Sequence, residues 1–387
     1  MSHFSSLSLT NFRCYEAARV DDLLSGFVVL YGANGAGKTN VLEAVSMLSP
    51  GRGLRGAKAI EMQRRDAGAP WAVAGELATD YGPVRLGTGI EPQSEKRIVR
   101  INGETVRGQN ALAEHVACVW LTPQMDRLFL DSAGQRRRFL DRLVFTFDAG
   151  HSGRVSRYEN AMRQRSKVLQ EGGDAAWVDS LEAQMAETGC AIGAARLAFV
   201  ERLQGACEQF GTLHFPLARM EARGAVEDLL RSGASALEVE DVVKHQLRES
   251  RGRDGIVGGA MSGPHKSDLY VVYADKDMEA AQCSTGEQKA LLIGIILAHA
   301  ALIKGERGAA PILLLDEVAA HLDEGRRAAL YDLLGGLGGQ VWLTGTDREL
   351  FAALDPSSPR LRRDKGDAQA QFFEVANSAI RKIVGEL

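Results

Sequence analysis

Gly32-Ala33-Asn34-Gly35-Ala36-Gly37-Lys38-Thr39 satisfies the phosphate-binding pattern G-x-x-x-x-G-K-[ST] at every fixed position. Before it, Phe27-Val28-Val29-Leu30-Tyr31 reads as a buried strand. After it, Asn40 to Leu48 carries apolar residues at helical spacing. Strand, glycine loop and helix in that order give the motif its chemistry. The glycines let successive backbone N–H groups turn in on a phosphate at the positive end of a helix. Lys38 adds a point charge for the β and γ phosphates, and the Thr39 hydroxyl is of the kind that coordinates Mg²⁺. The stretch predicts a bound nucleoside triphosphate.

The complement to that loop lies far along the chain. Pro311-Ile312-Leu313-Leu314-Leu315 is a continuous apolar run of the kind a buried parallel strand needs, and it ends in Asp316-Glu317. Asp316 fits the carboxylate that holds Mg²⁺; Glu317 is placed to orient and deprotonate an attacking water. Lys38 and Asp316 lie 278 positions apart, so one nucleotide-binding lobe must be assembled from both chain ends. Gln340-Val341-Trp342-Leu343-Thr344 reads as the next strand. Cys283-Ser284-Thr285-Gly286-Glu287-Gln288 precedes an apolar helix from Lys289 to about Lys304, and a serine and a glycine at a helix start form a second anion site. One active site needs only one such cradle. Two chains packed head to tail use both, each capping the γ-phosphate of the other; ordinary helix capping by Ser284 or Thr285 is the plainer alternative.

Between these ends the pattern changes. The first hundred residues look β-rich: Leu7 to Phe12 alternates, Trp71–Leu77 and Val84–Gly87 read as paired strands, and Lys96–Ile101 runs into the hairpin signal Asn102-Gly103. Gly51 to Lys58 reads as a flexible basic connector or a contact to nucleotide or DNA phosphates. Cys118-Val119-Trp120-Leu121 is a further strand, closed by Pro123. From about residue 125 helices follow, with Leu181, Met185, Ile192, Phe199, Leu203 and Phe210 forming one apolar stripe. Gln135 to Gln170 holds nine basic residues (Arg136, Arg137, Arg138, Arg142, Arg154, Arg157, Arg163, Arg165 and Lys167) against three acids, in a protein whose net charge is −4. Such a run is either a solvated helix face or a phosphate contact. Arg251 to Gly259 is rich in breakers and marks the return. The expected architecture is α/β: a P-loop ATPase head formed by 1–124 and 262–387, with an inserted, mainly helical second lobe at 125–261.

The 387 residues fit two or three domains. Five scattered cysteines without a CxxC pair point to a reduced, cytoplasmic protein without structural zinc. No 18-residue apolar run is read in the chain, so no membrane span is expected, and the N-terminus lacks the regions of a signal peptide.

The order of glycine loop, signature, acidic pair and Ala320-His321-Leu322-Asp323 resembles ABC-type ATPases. Narrower strings are Asn11-Phe12-Arg13 with Tyr15, Gly51-Arg52-Gly53-Leu54-Arg55, Arg136-Arg137-Arg138-Phe139-Leu140-Asp141, Ser262-Gly263-Pro264-His265-Lys266-Ser267-Asp268-Leu269 and Thr344-Gly345-Thr346-Asp347. Together they resemble the RecF family, SMC-like ATPases that mediate bacterial recombination at single-strand gaps. The resemblance implies ATP and Mg²⁺ as ligands, slow hydrolysis as a switch and an ATP-dependent homodimer. It implies DNA as partner, duplex near single-strand junctions, with RecO- and RecR-like mediators that help load the RecA recombinase. It implies that Arg13 reaches the nucleotide, that Ser284 and Gly286 meet the partner's ATP, and that Asp323 lines the dimer contact. Gln124 stands where ABC-type proteins have a metal- and water-sensing glutamine, and the switch-histidine position falls on Thr344 or Thr346. His265 is a structural or DNA-facing candidate. The competing readings are an ABC transporter's motor subunit, against which stand the helical insertion and the absent switch histidine, and a plain P-loop kinase, which needs no signature.

Overall fold

Alternation sets the first strand. β1 (His3–Phe12) buries Phe4, Leu7, Leu9 and Phe12 and turns the residues between them outward. It pairs antiparallel with β2 (Tyr15–Val20). By contrast β3 (Phe27–Tyr31) buries four residues in succession, as a strand covered on both faces does, and leads through the glycine loop into α1 (Lys38–Met47). β4 (Ala72–Ala78), β5 (Val84–Ile90), β6 (Arg97–Ile101) and β7 (Glu104–Val106) complete an antiparallel sheet of order β2-β1-β4-β5-β6-β7. Asn102 and Gly103, with φ of 52° and 89°, make the tight turn between β6 and β7. β8 (Cys118–Leu121) follows.

Next come α2 (Ala133–Phe145), α3 (His151–Glu171), α4 (Ala175–Phe210), β9 (Ala218–Arg223), α5 (Ala225–Arg231), α6 (Ala236–Val257), β10 (Asp268–Tyr273), β11 (Met278–Glu279) and α7 (Thr285–Arg307). The last stretch holds β12 (Ile312–Leu315), α8 (Glu324–Leu337), β13 (Val341–Gly345), β14 (Ala370–Ala376) and β15 (Ala379–Ile383). This computed structural model describes residues 2–91, 95–210, 214–354 and 369–383, without the side chains of Phe210 and His321.

The chain divides into two units, Met1–Met125 with Ile296–Leu387, and Asp126–Ile295. In the first unit, the second sheet has the order β15-β14-β3-β13-β12-β8, parallel from β14 to β8 with β15 antiparallel at one edge. β3 therefore lies between two strands from the far end of the chain. The two sheets of this unit share a core that includes Phe4, Trp71, Leu314, Trp342 and Val375. A buried glutamine ties them: Gln340 Nε2 donates to the Phe4 carbonyl at 2.9 Å and the Leu24 carbonyl at 3.0 Å, and its Oε1 accepts from Phe4 N and Trp342 Nε1 at 3.1 Å each. With all these bonds made, a buried amide costs the fold little.

The second unit is helical with a three-stranded sheet, β11-β10-β9, which the sequence reading lacks. The apolar stripe of α4 is core: Leu181, Met185, Ile192, Phe199 and Leu203 are buried. β10 pairs with β9 along its whole length. That ladder is why the segment after residue 261 belongs by its contacts with the helices and not with the head, placing the return at Ile296 rather than at residue 262. α7 is long and apolar enough to cross a membrane, unlike the expectation that no such run exists, but most of its apolar length is buried inside the fold.

Two further expectations change on contact with the structure. The 51–58 connector is anchored: Leu54 N donates to Ser46 Oγ at 2.8 Å, and Arg55 Nη1 donates to Asn40 Oδ1 at 2.8 Å and Glu43 Oε2 at 2.9 Å. Much of the basic run is internal. Arg165, fully buried, sits 2.9 Å from Glu182 and 2.8 Å from Asp254. Arg136 makes a two-pronged pair with Asp268 at 2.6 and 2.7 Å, and Arg154 pairs with Asp148. Arg138, Arg157, Arg163 and Lys167 remain exposed.

Candidate functional site

The parallel register brings four strand ends to one edge. Val29 lies beside Leu343, Leu343 beside Leu315, and Leu315 beside Leu121. Whatever follows those residues is delivered to the carboxyl edge of the sheet, where open α/β folds bind ligands. After β3 comes the glycine loop; after β12 comes Asp316-Glu317; after β8 comes Thr122 to Gln124; and Thr344 lies near the end of β13, between the first two.

The loop takes its shape from glycine. Gly32, Gly35 and Gly37 have φ of 148°, 79° and 112°. A side chain at Gly32 would collide with the Val375 carbonyl of β14, so that position needs glycine for space as well as for conformation. Ala33, Asn34 and Gly35 form the exposed crest of the loop, and Ala36 N closes it on the Ala33 carbonyl at 3.2 Å. Tyr15 donates its hydroxyl to the Gly37 carbonyl at 3.2 Å. Lys38 is buried and donates to the Gly32 and Ala33 carbonyls at 2.7 and 2.9 Å. Burial lowers its pKa, and the carboxylates of Glu317, Asp316 and Asp347 oppose that shift.

Thr39 Oγ1 is 3.0 Å from both oxygens of Asp316, so the two residues the sequence places 277 positions apart do meet. Burial raises the pKa of Asp316 despite hydrogen bonds from Thr344 and Thr39, with the Glu317 charge adding to the rise. A hydroxyl and a buried carboxylate side by side are hard oxygen donors of the kind Mg²⁺ takes, so these residues fit that metal. Thr344 is one of the two residues, with Thr346, on which the switch position falls. Its hydroxyl donates to Asp316 Oδ1 at 2.7 Å and accepts from Glu317 N at 2.9 Å. Glu317 itself has φ of 53°, a left-handed backbone that costs a non-glycine residue about 1–2 kcal/mol. Thr346, past the strand end, donates to Asp347 Oδ2 at 2.8 Å.

The other expected residues are distributed as follows. Arg13 Nε and Nη2 grip Glu43 of α1 at 2.8 and 2.6 Å, and its Nη1 donates to the Glu61 carbonyl at 2.7 Å. Gln124 is exposed in a short turn after β8, and among the described residues no hydrogen bond joins it to Thr39 or Asp316. Asp323 caps α8 by accepting from Arg326 N at 2.8 Å, which lowers its pKa. In the second unit Ser284 forms a capping box with Glu287: its Oγ donates to Glu287 Oε2 at 2.8 Å and accepts from Glu287 N at 3.4 Å. Lys276 binds the other oxygen of Glu287, and with Ser284 holds that carboxyl down at about 2. The exposed Gly286 has open space around it.

Glu43, not among the residues expected to matter, lies within α1, carries no exposed surface and takes both Arg13 and Arg55. An acidic residue in the buried stripe of a helix, with arginines in two flanking loops, is the signal that could have found it. His265 has both ring nitrogens engaged within the helical unit. Its Nδ1 takes the Tyr158 hydroxyl at 2.6 Å and its Nε2 the Ala260 carbonyl at 2.9 Å. Two of the strings that carry the resemblance, 136–141 and 262–269, meet each other. Arg136 holds Asp268, Arg137 donates to the Ser267 carbonyl at 2.5 Å, and Asp141 grips Arg196, whose Nη1 reaches the Pro264 carbonyl at 2.7 Å.

Residues 3–358 match the family model described as RecF/RecN/SMC N terminal domain. A DNA replication and repair protein RecF from Allorhizobium ampelinum is 48% identical over 364 residues, covering 93% of this chain and 96% of its own length. Its counterpart from Agrobacterium fabrum is 47% identical over 381 residues, 97% of each chain. A solved structure of the recombination mediator protein RecF with ATP has a TM-score of 0.83 at 21% identity, covering 99% of this chain and 98% of that one. An Smc head domain from Pyrococcus furiosus has a TM-score of 0.53 at 14% identity, over 100% and 97% of the two chains. The likeness to these structures shows the fold alone: an ABC-type ATPase head with a helical insertion. The sequence matches go further, and the chain belongs to the RecF family of SMC-like DNA replication and repair proteins.

Proposed function

We propose that this chain is an ATP-operated clamp on DNA, a cytoplasmic homodimer whose two subunits close over nucleotide and open when it is hydrolysed. The observation that carries the reading is the contact of Thr39 with Asp316 at the carboxyl edge of the parallel sheet, beside the glycine loop. In this reading the loop 32–39 receives the β and γ phosphates on its backbone N–H groups, and Lys38 leaves the Gly32 and Ala33 carbonyls to pair with them. Mg²⁺, held by Thr39 and Asp316 with Gln124 as a further candidate, would supply charge neutralisation on the phosphates. Glu317 takes the proton of the attacking water. Arg13 reaches the nucleotide by releasing part of its hold on Glu43. Ser284 and Gly286 of one subunit meet the γ-phosphate held by the other, and Asp323 lines the contact between them.

DNA is then gripped through phosphates by the exposed Arg138, Arg157, Arg163 and Lys167, without reading bases. The likeness to RecF proteins supports duplex DNA near single-strand junctions as the target. It supports RecO- and RecR-like mediators as partners in loading the RecA recombinase. The transporter-motor reading loses its ground with the family assignment. Sedimentation with and without Mg-ATP tests the dimer; fluorescence anisotropy of a gapped duplex across a salt series tests the clamp. A protein that stays monomeric on DNA with saturating Mg-ATP and still hydrolyses at full rate would refute the reading.

A further inference from the structure

β13 stands between β3 and β12, so a residue near its carboxyl end lies between the phosphate loop and the acidic pair. That residue is Thr344, 1% exposed. A threonine hydroxyl has one proton to give and lone pairs to receive. Here the proton goes to Asp316 Oδ1 at 2.7 Å and a lone pair takes the Glu317 amide at 2.9 Å. The same Asp316 accepts from Thr39. One hydroxyl thus fixes the orientation of one carboxylate and the backbone of the next, and it does so where Glu317 adopts the left-handed φ of 53°.

We infer that Thr344 is a positioning residue for the acidic pair, and that its hydroxyl serves the two acids and not the γ-phosphate. The inference rests on the proposed hydrolysis by Asp316 and Glu317 and adds to it the device that aims them. Without the hydroxyl, Asp316 keeps only the Thr39 bond and rotates more freely, and the Glu317 amide loses its acceptor. Nucleotide binding through the glycine loop and Lys38 does not involve Thr344 and stays.

Thr344→Val removes the hydroxyl while keeping the shape, and Thr344→Ser restores it. Hydrogen exchange of the Glu317 amide in nucleotide-free protein is read first, with the amides of Trp342 and Leu343 as internal controls for an intact β13. The Val variant is expected to exchange Glu317 at least about tenfold faster, with a kcat loss of about 10–100-fold and little change in KM, as for other groups that orient a metal-site ligand. The Ser variant is expected to return both towards wild type. A Val variant with wild-type protection at Glu317 and wild-type kcat overturns the inference. So does a kcat loss that serine does not rescue while β13 stays protected. If the wild-type protein binds ATP without hydrolysing it, the hydrolysis reading fails by itself, and amide exchange still decides whether Thr344 holds the pair.

Discussion

Arg13 and Glu43 face each other in a two-pronged contact, Nε to Oε2 at 2.8 Å and Nη2 to Oε1 at 2.6 Å, with the carboxylate fully buried. Arg55 binds the same carboxylate from the 51–58 segment. Removing Glu43 leaves two guanidinium groups facing each other across a buried position. Glu43→Ala is expected to destabilise the head by about 3–5 kcal/mol, the scale for breaking a buried pair from one side. Urea denaturation followed by fluorescence checks it, and a loss below about 1 kcal/mol would show that water already compensates the pair.

Lys38→Met removes the only side-chain cation of the glycine loop. ATP affinity is expected to drop by about 10–100-fold, the loss of a charged hydrogen-bond donor. ATP-dependent dimerisation should vanish with it at micromolar protein. A fluorescent ATP analogue reports the first effect and sedimentation velocity the second.

Glu317→Gln keeps the size and loses the base. The variant is expected to bind ATP and dimerise as wild type does, while single-turnover hydrolysis slows by about 10²–10⁴-fold, the usual share of a general base. Normal turnover by this variant would move the base elsewhere.

The basic run splits by burial, and the split is measurable. Arg165→Ala removes a buried partner from Glu182, which keeps Arg251, and from Asp254, which keeps the Ser250 hydroxyl, and should cost about 3 kcal/mol, the lower end of the scale for breaking a buried pair from one side. Arg163→Ala, on an exposed position of the same helix, should leave stability alone and reduce the salt dependence of DNA binding by about one phosphate contact. Paired melting curves and anisotropy titrations separate the two outcomes.

His265 gives the helical unit a pH response. Burial lowers its pKa below 6.5, and Lys266 and Arg137 add to the shift against the Ala260 carbonyl and Asp254. The neutral ring is the one the fold holds, donating from Nε2 to Ala260 and accepting from Tyr158 at Nδ1. As pH falls below 6.5 the unfolded chain binds a proton that the folded chain refuses. The contribution is therefore complete above 6.5 and lost as pH falls through the folded value, with a slope of at most about 1.4 kcal/mol per pH unit. Urea midpoints between pH 7.5 and 5 should show a steeper decline in wild type than in His265→Gln.

Local pattern carried much of the fold. The alternation of β1, the continuous burial of β3 and β12, the Asn102-Gly103 turn and the α4 stripe are each decided by neighbours within a few residues. So was the meeting of Thr39 with Asp316, because a parallel sheet offers only one edge to a loop after a strand. Residues whose partners lie far along the chain were not legible. Nothing near Arg136 shows that it is spent on Asp268, and nothing near His265 shows Tyr158. A run of arginines reads the same whether its charges face solvent or each is matched by an acid brought in by the fold. The hydroxyl of Thr344 has the same character: its two bonds exist only once β13 lies next to β12.

β3 is flanked by β13 and β14, and both are translated only after the whole helical unit. The strand that presents the glycine loop leaves the ribosome with neither neighbour made, and must wait unpaired while the whole helical unit is synthesised. A growing chain therefore presents the glycine loop before the sheet that carries it is complete. Fragments that stop before Ala370 lack the strand whose Val375 packs on Gly32, and leave β3 as an open sheet edge for chaperones or proteases to find.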